Sequence, residues 1–98
     1  MAHSNAYDVI IIGAGPAGLS LARSLADTTL KVAIIDPASA QTLQNPPPDG
    51  REIALTHYSK ELLQAMGAWD AVPEGEIFFL RSAKVVDGTS PFELHFET

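Results

Sequence analysis

Six residues near the start of the chain, Gly13 to Gly18, have the types and spacing that a phosphate-binding turn requires. Their sequence is Gly-Ala-Gly-Pro-Ala-Gly, which matches the pattern G-x-G-x-x-G. In such a turn Gly13 permits the tight reversal out of a strand, and Gly15 removes a side chain that a diphosphate would meet. Gly18 lets the following helix pack closely on the strand. The pattern therefore predicts a dinucleotide site where free N–H groups and the positive end of a helix dipole face the diphosphate.

An acidic residue, Asp36, follows this turn at the spacing expected for a contact with an adenosine ribose. Dinucleotide-binding folds place such a carboxylate roughly 20 residues beyond the glycine turn. A carboxylate there favours ribose hydroxyls and repels a 2′-phosphate by like charge. We therefore predict FAD or NAD rather than NADP. These residues alone leave FAD and NAD open, because both cofactors carry the same ADP half.

The elements that must position these residues follow from the hydrophobic pattern and predict an α/β fold. An apolar run over 7–12 is typical of a buried parallel strand, Pro16 and Ala17 open a helix that runs to about Ala26, and 31–35 form a second buried strand. Beyond Asp36 we predict a loop over 37–50, a helix over 56–66 capped by Thr56 and Gly67, and strands over 77–80, 82–88 and 92–97.

Apolar stripes on these elements predict which faces pack. On the first helix the stripe consists of Leu19, Ala22, Leu25 and Ala26. On the second helix it consists of Tyr58, Leu62, Ala65 and Trp69. The phenylalanines of the last segments are expected on a sheet face, and any that lack a partner would form an exposed patch that promotes self-association.

Composition limits the classes of function. The chain has 98 residues, of which 46% are hydrophobic and 18% charged, as expected for one small globular domain. A net charge of −6 makes nucleic acid a poor partner, and the absence of cysteine excludes a disulfide or a thiolate nucleophile. His3, His57 and His95 lack the spacing of metal ligands, so no metal site is predicted. No signal peptide or membrane span is visible at the N-terminus, which favours the cytoplasm.

Larger segments resemble a known family. The segment DVIIIGAGPAGLSLARSLA resembles the N-terminal ADP-binding motif of FAD-dependent oxidoreductases. The segment DGREIALTHYSKELLQAMGAWDAV resembles the region after the second strand in flavoprotein aromatic-ring monooxygenases of the para-hydroxybenzoate hydroxylase fold. Within that fold, DGREIAL and MGAWD are similar to the ubiquinone-biosynthesis hydroxylase branch, and RSAKVVDG resembles its first substrate-domain strand. The resemblance covers essentially the whole chain.

This resemblance implies a division of the chain and a set of cofactor contacts. Residues 1–73 would be the N-terminal part of a Rossmann-like FAD-binding domain, and 74–98 would begin a substrate-binding domain. The implied FAD contacts are the diphosphate on Gly13, Gly15, Pro16, Ala17 and Gly18, the ribose on Asp36, and the pyrophosphate reached by Arg51. Catalytic residues stay unassigned.

The activity implied by the resemblance is FAD-dependent hydroxylation of a polyprenylated phenol or quinol in ubiquinone biosynthesis. NAD(P)H would reduce the flavin, O2 would supply the oxygen atom, and the enzyme would lie at the periphery of the inner membrane. A homo-oligomer is a further expectation. Because such hydroxylases are several times longer, we expect this chain to be an N-terminal fragment that is inactive alone. The alternatives are a dinucleotide-binding module without turnover and a fragment of an NAD-dependent dehydrogenase, a class in which DGREIAL has no role that we can name.

Overall fold

The computed structural model describes residues 6–97 of the chain. Strands β1 (Val9–Ile12) and β2 (Val32–Ile35) pair in parallel, and helix α1 (Pro16–Ser24) connects them. Residue pairs run from Val9 with Val32 to Ile12 with Ile35, so both strands end at the same edge of the sheet. The predicted α/β class and its βαβ unit are confirmed. This register places the glycine turn and Asp36 next to each other, just beyond the two strand ends.

Helix α1 packs on β1 through its glycine-bearing face. A Cβ added at Gly18 would overlap the carbonyl oxygen of Gly13 and would lie 3.2 Å from Cγ2 of Ile11. Ile11 and Ala14 are the buried apolar residues of the described chain, with 7% and 6% of their surfaces exposed. The close approach that the sequence predicts at Gly18 is therefore present, and the small core forms around it.

The face of α1 that packs inward differs in part from the predicted stripe. Ala22 and Leu25 are half-buried, as expected, but Leu19 and Ala26 are exposed. The inward face is centred on Gly18. The predicted stripe does not include this residue, because glycine has no apolar side chain. The helix also ends at Ser24 rather than near Ala26, because the chain tightens there into bonds three residues apart, such as the one from the N–H of Thr28 to the Leu25 carbonyl.

The predicted loop over 37–50 is wrong over five residues, which form the short helix α2 (Ala40–Gln44). Its N-cap is Ser39, whose hydroxyl oxygen accepts a hydrogen bond from the N–H of Thr42 at 3.1 Å. This local cap stabilises one helical turn in a segment whose composition is typical of loops. Residues 45–50, with their three prolines, contain no helix or strand.

Helix α3 (His57–Ala65) confirms the predicted helix and its N-cap Thr56, whereas its C-cap lies one residue before the predicted Gly67. The Thr56 hydroxyl oxygen accepts from the N–H of Ser59 at 3.1 Å. At the other end Met66 is the C-cap and Gly67 follows with a φ of +77°, the left-handed conformation that favours glycine. Short 3-10 turns then follow at Trp69–Ala71 and Glu74–Glu76.

The packed face of α3 is shifted from the predicted one. Tyr58 is 68% exposed and Leu62 is 45% exposed, although both were expected in a core. Trp69, the last residue of the predicted stripe, is half-buried as expected, but the other half-buried positions are Ser59, Lys60, Leu63 and Met66. Since the Ser24 hydroxyl donates to the Met66 sulfur at 3.7 Å, α3 is oriented toward α1, and the contact partner rather than the apolar pattern sets its inward face.

The C-terminal segment forms a hairpin of strands β3 (Ser82–Val86) and β4 (Glu93–Glu97). These strands confirm the predictions for 82–88 and 92–97. The predicted strand over 77–80 is wrong: it is not assigned to a strand, and the two ladders of the described chain pair only β1 with β2 and β3 with β4. An apolar run rich in aromatic residues forms a strand only where a neighbouring strand supplies hydrogen bonds. The exposed phenylalanines of this region are Phe78, Phe79, Phe92 and Phe96.

The two sheets lie in an elongated molecule. The described chain measures 70 × 28 × 24 Å and has a radius of gyration of 18.6 Å, against about 13 Å for a compact domain of this length. The β1–β2 and β3–β4 sheets therefore do not share one central core. None of the helices within residues 6–97 has the length and hydrophobicity that a membrane span requires.

The contact at Gly18 generates a prediction about stability. Gly18→Ala places a methyl group against the Gly13 carbonyl, which is backbone and cannot rotate away, so we expect a loss of about 1–3 kcal/mol in the free energy of unfolding. Urea unfolding followed by circular dichroism measures the loss. Gly75→Ala is the matched control, because a Cβ at Gly75 meets nothing within 4 Å. Equal unfolding midpoints for the two variants would contradict the packing described here.

Candidate functional site

The turn after β1 begins with a residue that must be glycine. Gly13 has a φ of +108°, which side-chain-bearing residues rarely adopt. Its N–H donates to the carbonyl of Ile35 at 2.7 Å, which extends the pairing of the two strands by one residue. Helix α1 then begins at Pro16, three residues after Gly13.

The first turn of α1 presents backbone N–H groups without partners. Gly15 is the N-cap and no side chain caps the helix. The first paired N–H is that of Leu19, which donates to the Gly15 carbonyl at 2.9 Å. Within residues 6–97 the N–H groups of Gly15, Ala17 and Gly18 have no acceptor, and Pro16 has no N–H to offer. These donors stand at the positive end of the helix dipole, where an anion is stabilised.

Gly15 leaves open space in front of these donors. A Cβ added there would meet nothing within 4 Å, and its φ of −81° is one that any residue adopts. Neither sterics nor backbone conformation within the chain thus requires glycine at this position. A ligand that approaches the backbone does require glycine at this position. The open space at Gly15 and the free N–H groups of Gly15, Ala17 and Gly18 together form an open cradle, which fits the diphosphate of a dinucleotide.

Asp36 is tied to the glycine turn through both of its carboxylate oxygens. Its Oδ2 accepts from the N–H of Ala14 at 2.9 Å, across the two strands. Its Oδ1 accepts from the N–H of Ala38 at 2.8 Å. These two backbone donors, Ala14 first, hold the pKa of Asp36 below its usual range. The carboxyl group is therefore charged at neutral pH and lies next to the turn, at the end of β2.

Two residues that contribute to this geometry were missed in the sequence. Ala14 occupies a variable position of the glycine pattern, yet it is buried and its N–H holds Asp36. Asp8, at the opposite end of the sheet, accepts from the N–H of Lys31 at 2.7 Å, while its own N–H donates to the Lys31 carbonyl at 2.8 Å. Asp8 thereby fixes the strand register that aligns Gly13 with Asp36. The signal available in the sequence was an aspartate directly before an apolar run.

Pro16 and Ala17 occupy the first two positions of α1, next to the open space at Gly15. Arg51, by contrast, makes no contact with the glycine turn within the described chain. The Arg51 side chain is 84% exposed, and its Nε donates to Oδ2 of Asp49 at 2.7 Å. The Arg51 N–H also donates to Asp49, and these contacts hold the pKa of Asp49 below its usual range. The assignment of Arg51 to a pyrophosphate stays a prediction.

Neither His57 nor His95, the histidines in residues 6–97, forms a hydrogen bond or ion pair with the turn. His95 is near Glu93, with 3.0 Å between Nε2 and Oε2, and Lys84 Nζ lies 2.6 Å from Oε1 of Glu93. Lys84 first and then His95 hold the pKa of Glu93 below its usual range. Among the residues that the structure describes, no three histidine, cysteine, aspartate or glutamate side chains are grouped to hold a metal ion. His3 lies outside the described residues.

Comparison with known proteins gives consistent matches over most of the chain. A family model described as pyridine nucleotide-disulphide oxidoreductase matches residues 7–93. The ubiquinone hydroxylase UbiM of Neisseria meningitidis is 56% identical over 89 residues, which are 91% of this chain and 19% of that protein. The ubiquinone hydroxylase UbiL of Rhodospirillum rubrum is 37% identical over 89 residues, which are 91% of this chain and 20% of that protein.

A third relative is the mitochondrial ubiquinone biosynthesis monooxygenase COQ6 of Dictyostelium discoideum. It is 33% identical over 103 aligned residues, which cover 95% of this chain and 21% of that protein. The chain thus spans about a fifth of the length of these relatives. No solved structure matches the chain significantly.

The bonds at Asp36 predict a pH-dependent contribution to stability. Because its pKa is lowered in the folded chain, the stabilisation is present above the pKa of the unfolded chain and is lost as the pH falls through the folded value. We expect Asp36→Asn to lower the free energy of unfolding most at neutral pH, with the difference shrinking below about pH 4. Urea unfolding at pH 7 and pH 3 measures this.

A control variant separates this effect from a change in net charge. Asp27→Asn removes the same charge from a side chain that is 96% exposed and pairs with Arg23 only at 3.9 Å. We expect it to change stability by less than about 1 kcal/mol at either pH. A difference between wild type and Asp36→Asn that is the same at pH 7 and pH 3 would show that the carboxylate charge does not hold the turn.

Proposed function

The chain belongs to the pyridine nucleotide-disulphide oxidoreductase family, and on that premise we propose that it forms the ADP-binding part of an FAD-dependent hydroxylase. The observation that carries the proposal is the open cradle at Gly15. It combines free N–H donors at a helix start, space for a ligand against the backbone, and a charged carboxylate at the end of the neighbouring strand. A dinucleotide has the matching groups, a diphosphate and an adenosine ribose.

The proposed contacts assign each part of the ADP half to a part of the site. The N–H groups of Gly15, Ala17 and Gly18 would donate to the diphosphate, with Gly13 shaping the turn and Pro16 starting the helix. Asp36 would accept from the ribose hydroxyls, and Arg51 would reach the pyrophosphate after leaving Asp49. A guanidinium suits that role because its planar fork pairs with two phosphate oxygens.

FAD is proposed over NAD because of the names of the relatives. Two are named ubiquinone hydroxylases and the third a ubiquinone biosynthesis monooxygenase. When bound, the flavin supplies the redox chemistry of such an enzyme. The residues of this chain do something different: they bind the adenylate end, keep it next to the sheet edge, and thereby fix where the rest of the cofactor extends.

The substrate, reductant and location belong to the same proposal. We propose a polyprenylated phenol or quinol as substrate, in keeping with the names of the relatives, and NAD(P)H as the reductant. A polyprenyl tail is apolar and partitions into lipid, which supports a cytoplasmic enzyme peripheral to the inner membrane. Exposed phenylalanines on the hairpin region are consistent with a homo-oligomer.

The hairpin is proposed as the beginning of a substrate-binding domain, with the boundary between residues 73 and 74. In support, β3 and β4 pair only with each other in the described chain. They form a sheet separate from the parallel sheet that carries the glycine turn. Val85, Val86 and Phe96 are more than half exposed, and Leu94 is 46% exposed. Such surfaces are expected where a strand pair belongs to a larger sheet.

Flavin retention tests the proposed cofactor. We expect the purified chain, mixed with FAD and passed through a sizing column, to elute with the visible absorption bands of oxidised flavin. Gly15→Val should abolish retention because its side chain would occupy the space of the diphosphate. The same variant should unfold at an unchanged urea concentration, since the space around Gly15 is open within the chain. Gly75→Val, also in open space, is the control that should retain flavin.

Competition with ADP separates the outcomes. If ADP displaces the flavin, the cofactor is held through its ADP half, as proposed. If the chain binds ADP but retains no FAD, the dinucleotide site stands and the choice of FAD is wrong. Binding of neither ligand, or equal binding by wild type and Gly15→Val, would contradict the site itself.

A further inference from the structure

We propose that Asp36 is a positioning residue for the glycine turn in addition to its contact with the ribose, an inference that rests on the proposed dinucleotide function. The bond from the Ala14 N–H to Oδ2 of Asp36, at 2.9 Å, links the turn after β1 to the end of β2. The residues are 22 positions apart in the chain. Asp36 therefore acts on the diphosphate side of the site as well as on the ribose side.

The bond divides the N–H groups of the turn into two sets. The N–H of Gly13 donates to the Ile35 carbonyl at 2.7 Å, and the N–H of Ala14 donates to Asp36. Both consecutive donors are thus directed at β2 and its end. The free donors begin at Gly15, the residue that faces open space. Without the Asp36 carboxylate, the Ala14 N–H would have no acceptor in this arrangement. The turn would then lose the hydrogen bond that fixes the orientation of the Gly15 backbone.

The carboxylate has enough acceptor positions for both roles at once. An ionised carboxylate offers about four lone-pair sites on its two oxygens. Two are used by the N–H groups of Ala14 and Ala38, which leaves two for the 2′- and 3′-hydroxyls of a ribose. No lysine, arginine or histidine of the described chain forms an ion pair with Asp36. Backbone donors are therefore its partners before a nucleotide arrives.

A nucleotide without ribose hydroxyls distinguishes the two roles. Calorimetry gives the Kd of ADP and of 2′,3′-dideoxy-ADP for wild type, Asp36→Ala and the charge-matched control Asp27→Ala. If Asp36 positions the turn, Asp36→Ala should bind dideoxy-ADP roughly tenfold more weakly than wild type does, the size expected for losing a hydrogen bond to a charged group. Asp27→Ala should match wild type. Equal affinity of wild type and Asp36→Ala for dideoxy-ADP would overturn the proposal.

A second measurement uses the nucleotide-free wild-type chain and does not depend on the folding of a variant. In an amide NMR titration, the Ala14 N–H resonance should shift with the protonation of Asp36, together with that of Ala38. A shift at Ala38 with none at Ala14 would overturn the proposal, because Asp36 would then bond only within its own loop. Failure of wild type to bind ADP would defeat the proposed function, whereas this titration would still decide whether Asp36 holds the turn.

Discussion

The close approach of α1 to β1 at Gly18 is the contact on which the rest of the site depends. A single Cβ at this position would overlap the carbonyl of Gly13, so the helix can lie this near to the strand only because the side chain is absent. This distance sets the direction of α1, and the direction sets where its unpaired N–H groups point. Ile11 and Ala14, the buried apolar residues of the described chain, lie in the β1 and turn region where the helix approaches. Packing and function therefore share one constraint at this end of the molecule.

Electrostatics at the site combine two opposite charges at short range. The start of α1 carries partial positive charge and favours a diphosphate, whereas Asp36 carries a full negative charge at the end of the next strand. A bare carboxylate would repel the diphosphate that the turn attracts. Here both carboxylate oxygens accept hydrogen bonds from backbone N–H groups, those of Ala14 and Ala38, and these donors partly offset the negative charge. In the proposed complex this arrangement would orient the dinucleotide, with its phosphates at the start of α1 and its ribose hydroxyls at Asp36.

The parts of the molecule that the sequence predicts well are those set by local interactions. The β1 and β2 runs, the start of α1 at Pro16 and the Thr56 cap follow from short patterns whose physical causes lie within a few residues. The acidic residue after β2 was found by spacing alone. What could not be predicted depends on distant partners: the Ala14 bond to Asp36 joins two strands, and α3 turns Leu63 and Met66 inward because α1 is its neighbour. The run over 77–80 has strand composition but no partner strand, and composition carries no information about partners.

The sheet that carries the site is covered on one side. Ile10, Ile12 and Ile35 lie on the face opposite α1 and are 57%, 86% and 55% exposed. Parallel sheets are usually covered on both faces, so this apolar surface limits the stability of the βαβ unit. This apolar surface does not affect the geometry of the turn, however. Hydrogen bonds between Gly13 and Ile35 and between Ala14 and Asp36 fix that geometry. The open face of the two strands therefore contributes to stability without taking part in the bonds that shape the turn, and substitutions there should change stability while leaving those bonds intact.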